Sequence, residues 1–383
     1  MTIIKNLIIG LLVLILAGVA LLYASGNGFI ITSLQRTYMI GHATANINDH
    51  NEFNTNVIAT STPQELAGHP NYNAKKLSSE FKQQLEGLNA AAFLVVKDGQ
   101  VIFEEYMSGY NNRSKTNSFS MAKTVTTILL GIAIEEGYVR DLDQPIVDFL
   151  PEFKDDPIGK TATIRQLSLM NSGYEWDEQY YTPFSPTVQL YYGDDVTEFT
   201  LGRAFSAEPG SFWEYSSAST ELLGIFLLRA LQKAGAAMTL SEYLSEKIWQ
   251  PMGMNDDALW HTDNEGMELT YCCLSTNARN YAKLGLLMLN KGDWNGQQLI
   301  PQAFVEQMVK PEGTSYYGLS TWLSDTQSPA FYAFNGHLGQ FIISVPEHNM
   351  VVVRLGEKMH PDSDLMSETL PMLINEALKV SVD

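Results

Sequence analysis

Hydrophobic and polar residues change rhythm several times along the chain, and each change marks a structural boundary. Leu7 through Leu22 is apolar apart from small glycines and alanines, with Lys5 before it and Tyr23-Ala24-Ser25-Gly26 after it. A run of that length sits near the lower limit for crossing a bilayer, and no clean small-x-small cleavage site follows it. Residues 1–26 therefore read as a signal peptide or a signal anchor, with the uncleaved anchor favoured. The single Lys5 puts the N-terminus on the cytoplasmic side, so in a bacterial cell the body would lie on the periplasmic side. Cleavage would instead release it into the periplasm. From Asn27 to about Pro70 the chain is polar and without a sustained period, which predicts a tether and an irregular lead-in on which few contacts depend.

Residues 71–380 carry the folded body. Leu77, Phe81, Leu85 and Leu88 fall at helical spacing and predict an amphipathic helix. Ala92 to Val96 and Val101 to Phe103 are short apolar runs separated by Asp98-Gly99, the signature of a hairpin. The far end mirrors this. Phe331 to Phe334, Gln340 to Val345 and Met350 to Leu355 are strand-like, and Leu365 to Leu378 reads as a closing helix. The simplest topology is α+β: one antiparallel sheet built from the early hairpin and the late strands, flanked by the terminal helices. The stretch from about 141 to 311 is mainly helical in pattern, as in Thr220 to Ala234 and Asn277 to Asn290. It would be inserted as a second lobe, leaving a cleft where sites usually sit.

Composition narrows the class of function. With 45% hydrophobic and 17% charged residues the chain has the profile of an ordered globular enzyme. A formal net charge of −19 argues against a nucleic-acid partner, because binding to phosphate backbones needs clustered Lys and Arg. Cys272 and Cys273 are the sole cysteines. Adjacent residues do not easily reach disulfide geometry, so the pair reads as two small semi-apolar residues on a packed segment and leaves the compartment undecided. The histidines show no paired ligand spacing for a metal, and no Gly-x-Ser-x-Gly elbow for a Ser-His-Asp hydrolase occurs.

The residues that remain suited to chemistry lie in three segments. Ser120-Met121-Ala122-Lys123 opens an apolar run from Val125 to Ile134, and a helix starting here puts Ser120 and Lys123 one turn apart on one face. A lysine kept neutral by burial can take the serine proton. The pattern alone is weak, since Ser79-Glu80-Phe81-Lys82 matches it on a polar helix, and a serine capping a helix is the plainer reading. The second segment is Pro209 to Ser217, where Tyr215 is a candidate phenolate or shared acid and base whose pKa the lysine would lower. Ser217 is placed to hold substrate or Lys123. The third is Gly336-His337-Leu338-Gly339-Gln340, whose small residues would let a substrate carbonyl approach a strand edge. Backbone N–H groups of Ser120 and Gln340 would then form an oxyanion hole, with His337 positioning substrate at most.

In this order the three segments resemble the serine β-lactamase and penicillin-binding-protein-like superfamily, with its Ser-x-x-Lys, Tyr-x-Ser or Tyr-x-Asn, and His-x-Gly or Lys-Thr-Gly motifs. Asp141 to Phe153, Thr163 to Gly173 and Ile248 to Met254 look like connecting segments of its class C β-lactamase-like branch. The stretch Met170 to Glu178 and the run Cys272-Cys273-Leu274 are most similar to the 6-aminohexanoate-dimer hydrolases, with family VIII carboxylesterases as close relatives. The resemblance implies a β-lactamase/transpeptidase-like fold. It also implies hydrolysis of a small-molecule amide or ester through an acyl-serine, with Ser120, Lys123 and Tyr215 exchanging protons and without metal or cofactor. Gly339 joins the substrate-binding set, and Tyr180, Tyr181 and Trp322 are candidates for the acyl pocket. Two departures lower the expectation of efficient β-lactamase activity. Ser217 stands where class C β-lactamases have Asn, and His337-Leu338-Gly339 removes the cation that would hold a β-lactam carboxylate. A D,D-peptidase or weak β-lactamase of the cell envelope is the alternative, a non-catalytic binding protein a remote one, and the oligomeric state is open.

Overall fold

The computed structural model describes residues 2–324, 326–360 and 363–381. Its centre is a six-stranded antiparallel sheet in the spatial order Gln100–Tyr106, Ala90–Lys97, Met350–Gly356, Gln340–Val345, Phe331–Gly336, Trp322–Ser324. The early hairpin thus joins the late strands, as the pattern predicts, with Val95 opposite Val352 in register. Because side chains alternate across a strand, the sheet feeds two cores. Phe93, Val95, Ile343 and Val352 face Phe81, Leu85, Leu373 and Ile374 of the terminal helices. Leu94, Val96, Ile342 and Val351 face the helical body. Burial on both faces explains why these strands read as continuous apolar runs rather than as alternating ones.

The Met121–Glu135 helix runs through the helical body with every residue from Met121 to Ala133 buried. It packs against Ser217–Lys233 and Gln302–Met308. A smaller four-stranded sheet, which the sequence pattern did not reveal, orders Asn54–Ile58, Ala258–Thr262, Leu274–Thr276 and Thr116–Asn117.

The lead-in departs most from expectation. Far from being a loose tether, it contributes the Asn54–Ile58 edge strand, paired along its length with Ala258–Thr262. It also buries Ile47 and Ile58 in the main core and packs Phe29 and Ile30 against Val188 and Tyr192. Buried Lys283 donates to Gln64 O at 2.6 Å and to Gly253 O at 2.7 Å, tying the lead-in to the body. Its partners lie far away in sequence, which is why no local period announced them. Before it, Thr2–Ala24 forms a helix long and apolar enough to cross a membrane, with no residue buried against the body.

Candidate active site

Ser120 is held by the chain on both sides of it. Phe119 adopts a left-handed backbone (φ 44°), its N–H donating to Asn117 Oδ1 at 2.8 Å. This turn delivers Ser120 as the residue before the helix, so Lys123 follows one turn later. Lys123 Nζ lies 2.9 Å from Ser120 Oγ, 3.0 Å from Ser217 Oγ and 3.1 Å from Tyr271 O. Burial pushes its ammonium down to about 8, against the pull of Glu178 and Glu221. At neutral pH a minor but usable fraction is therefore the free amine a general base requires.

Tyr215 is buried beside this pair, its side chain hydrogen-bonded to Ser120 and the centroid of its ring 4.9 Å from Lys123 Nζ. Here the expectation needs correcting. Burial first, then the charge of Glu178, raise the phenol far above its ordinary value. Desolvation of the anion outweighs the hydrogen bond from Ser120, so Tyr215 stays protonated and has a proton to give rather than serving as a phenolate. Trp322 and Trp213 back its ring at 5.7 and 6.4 Å. Trp322 thus supports Tyr215 and does not line the pocket around Ser120.

That pocket is small, with a cavity volume of about 50 Å³, and mostly apolar, its walls including Phe119, Tyr180, Val188, Tyr191, Tyr192, Tyr271, Cys272 and His337 around Ser120 and Ser217. Of the aromatics expected there, Tyr180 is in place, stacked on His337 at 4.8 Å. Tyr181 is 71% exposed, its ring 6.0 Å from that of His337, and it is not among the pocket walls. His337 itself is buried, and burial pulls its imidazole down to about 4, so it is neutral at neutral pH. Its Nε2 and the Tyr271 hydroxyl are buried without a hydrogen-bond partner among the described residues.

Gly336 and Gly339 serve backbone packing. A side chain at Gly336 would strike Ser118 O, so the strand edge lies against the residue two before the nucleophile. Gly339 (φ 84°) is outside the pocket lining, and a side chain there would run into the Arg354 guanidinium. Its expected contact with substrate is therefore replaced by a structural role. Arg354, buried in the Met350–Gly356 strand, donates to Leu338 O at 2.9 Å and Gly339 O at 2.8 Å. It thereby fixes the turn that leads into Gln340.

Sequence reasoning missed several participants. Thr44 and Ala45 of the lead-in wall the pocket, and Tyr271 O is one of the three neighbours of the lysine amine. Glu178 accepts from Ser217 N and Ser217 Oγ. The acidic pair Asp177-Glu178 within the aromatic stretch Trp176 to Tyr181 was the available signal for it. Cys272 and Cys273 are a further correction. The structure joins them in a vicinal disulfide with Cα atoms 3.7 Å apart. The left-handed backbone of Cys273 (φ 72°) turns the chain so that adjacent side chains meet.

Comparisons with known proteins place the chain in a family and a fold. The Beta-lactamase family model matches residues 77–374. A 6-aminohexanoate-dimer hydrolase of Paenarthrobacter ureafaciens is 25% identical over 312 residues, covering 74% of this chain and 76% of the relative. A Bacillus anthracis structure assigned as a 6-aminohexanoate-dimer hydrolase superposes with TM-score 0.71 at 24% identity, covering 87% of this chain and 93% of the other. A family VIII carboxylesterase structure superposes with TM-score 0.59 at 16% identity, over 80% of this chain and 99% of the other.

Proposed function

The chain belongs to the beta-lactamase family of serine hydrolases, and from that premise we propose that it hydrolyses a small, uncharged amide or ester through an acyl-Ser120 intermediate. The observation that carries this reading is the buried Lys123 amine, 2.9 Å from Ser120 Oγ with its pKa brought down to about 8. In acylation Ser120 Oγ bonds to the substrate carbonyl carbon while its proton passes to Lys123. Backbone N–H groups of Ser120 and Gln340 receive the oxyanion. The bond to the leaving group then breaks, Tyr215 gives the leaving atom its phenolic proton, and Lys123 replaces that proton. Water completes the cycle by the reverse route, returning the proton to Ser120 and releasing the acid.

The pocket bears on the substrate. Its apolar walls and neutral His337 suit an uncharged acyl group, and the unpartnered His337 Nε2 and Tyr271 hydroxyl offer neutral hydrogen bonds to it. A β-lactam carboxylate would find no cation at position 337. Likeness to a 6-aminohexanoate-dimer hydrolase points to linear amides, and likeness to a carboxylesterase points to esters. The apolar N-terminal helix and the disulfide both suit an anchored protein with its body on the oxidising, periplasmic side.

The test is turnover of p-nitrophenyl esters, short linear amides and a chromogenic cephalosporin, with intact-mass detection of the acyl-enzyme. Ser120→Ala should abolish both signals with the fold retained. Lys123→Ala and Tyr215→Phe should each lower kcat by about a thousandfold. Full activity in any of the three sinks the mechanism.

A further inference from the structure

Glu178 is not used by the steps above, yet four donors converge on its carboxylate. Trp176 Nε1 and Ser217 N donate to Oε2 at 2.6 and 2.8 Å, and Tyr180 OH and Ser217 Oγ donate to Oε1 at 2.7 and 2.6 Å. An ionised carboxylate only accepts, so it satisfies all four. The consequence lies one bond further along. Ser217 Oγ has a single proton, and that proton is committed to Glu178. Toward Lys123 Nζ, 3.0 Å away, Ser217 can only accept. Tyr271 O, 3.1 Å from the same nitrogen, is a carbonyl and likewise only accepts. A neutral amine has two N–H bonds and one lone pair. With both N–H bonds taken by Ser217 and Tyr271, the lone pair is left for Ser120 Oγ at 2.9 Å.

We propose that Glu178 is a positioning residue that, by holding the Ser217 hydroxyl proton, turns the lone pair of neutral Lys123 toward Ser120. This rests on the acyl-Ser120 reading of the site. The groups that face Lys123 come from several elements: Glu178 from its loop, Ser217 and Glu221 from the Ser217–Lys233 helix, the Tyr215 ring at 4.9 Å, and Tyr271 through its carbonyl and its ring at 5.4 Å. Among these, Glu178 and Glu221 raise the lysine pKa against burial. Neutralising position 178 therefore moves the titration of Lys123 to lower pH.

Glu178→Gln separates the proposal from a merely structural role. The N–H groups of Ser217 and Trp176 cannot accept, so the new carboxamide oxygen stays with them and its NH₂ faces the Ser217 and Tyr180 hydroxyls. Ser217 then accepts from the amide and turns its own proton onto the lone pair of Lys123. In the full-length protein we expect kcat/KM for p-nitrophenyl butyrate to fall about a hundredfold with KM little changed. The acid limb of the kcat/KM profile should move to lower pH. Glu178→Asp, which keeps the charge, should leave that limb in place. Activity within about twofold of the parent, or a loss with an unmoved acid limb, overturns the proposal. Should Glu178→Gln fail to fold by circular dichroism, Ser217→Ala decides, because it removes the link while leaving Glu178 charged. It should cost at least about tenfold in kcat, and full kcat overturns the proposal. Failure of the parent to form an acyl-enzyme, or an active Ser120→Ala, would instead defeat the acyl-Ser120 reading itself.

Discussion

Lys123 and Lys82 each follow a serine by three residues, and their surroundings give them opposite chemistry. Lys82 pairs with Glu105 at 2.6 Å, its side chain 47% exposed, and this partner raises its pKa, so it stays charged. Lys123 is 1% exposed and loses charge stability to burial. Glu221, one turn beyond Ser217, shows the same effect in the acid sense. It is buried, accepts from Thr270 N and Thr270 Oγ1 at 2.8 Å, and is pushed up to about 8. The folded protein holds this proton up to about pH 8, whereas the unfolded chain releases it near its ordinary value of 4.5. Between those values the native state binds more protons, so stability falls as pH rises. Glu221→Gln removes that loss. Its melting temperature should gain on the parent progressively from pH 5 to pH 8, and a difference that does not vary with pH would show that Glu221 is ionised in the native state.

Among the elements, the turn from Gly336 to Gln340 shows how a motif is held from behind. His337 and the Gln340 N–H act on the substrate side in the proposed mechanism, while Arg354 grips the carbonyls of Leu338 and Gly339 from the next strand but one in sequence. Gly339→Ala puts a methyl group against that guanidinium at a left-handed backbone position. The expected cost is about 1–3 kcal/mol in urea unfolding, with a matching fall in kcat as Gln340 shifts. An unchanged midpoint would remove the packing explanation for this glycine. The spacing of glycines around His337 was readable from the residues themselves, but their reason was not. The sequence suggested room for substrate, and the fold uses the space for an arginine.

In the whole molecule, the lead-in proves to be part of the active-site body. Asp49 accepts from Asn117 Nδ2 at 2.9 Å and from Tyr191 OH at 2.6 Å, and Asn117 in turn fixes the turn before Ser120. Asp49→Ala removes the acceptor of both donors, leaving the buried Tyr191 hydroxyl proton without a partner while Asn117 Nδ2 keeps only its bond to Tyr191 OH at 3.1 Å. It should cost about 1–3 kcal/mol in a urea melt and lower kcat as well. Loss of stability with kcat unchanged would separate the lead-in from catalysis. Local periodicity and spacing determined a good deal: the apolar N-terminal helix, the hairpin and late strands, the long buried helix, and Ser120 and Lys123 one turn apart, while Tyr215 and His337 joined them through the family resemblance rather than through spacing. Those signals are local because helix and strand repeats and a three-residue offset act within a few residues. Tertiary structure alone decided that Tyr215 keeps its proton, that Thr44 and Ala45 wall the pocket, that Cys272 and Cys273 join, and which atoms meet Lys123. Ser217 reaches that amine across 94 residues of chain and Tyr271 across 148. Contacts at such separations, and the desolvation they bring, follow from topology rather than from any pattern that neighbouring residues can carry.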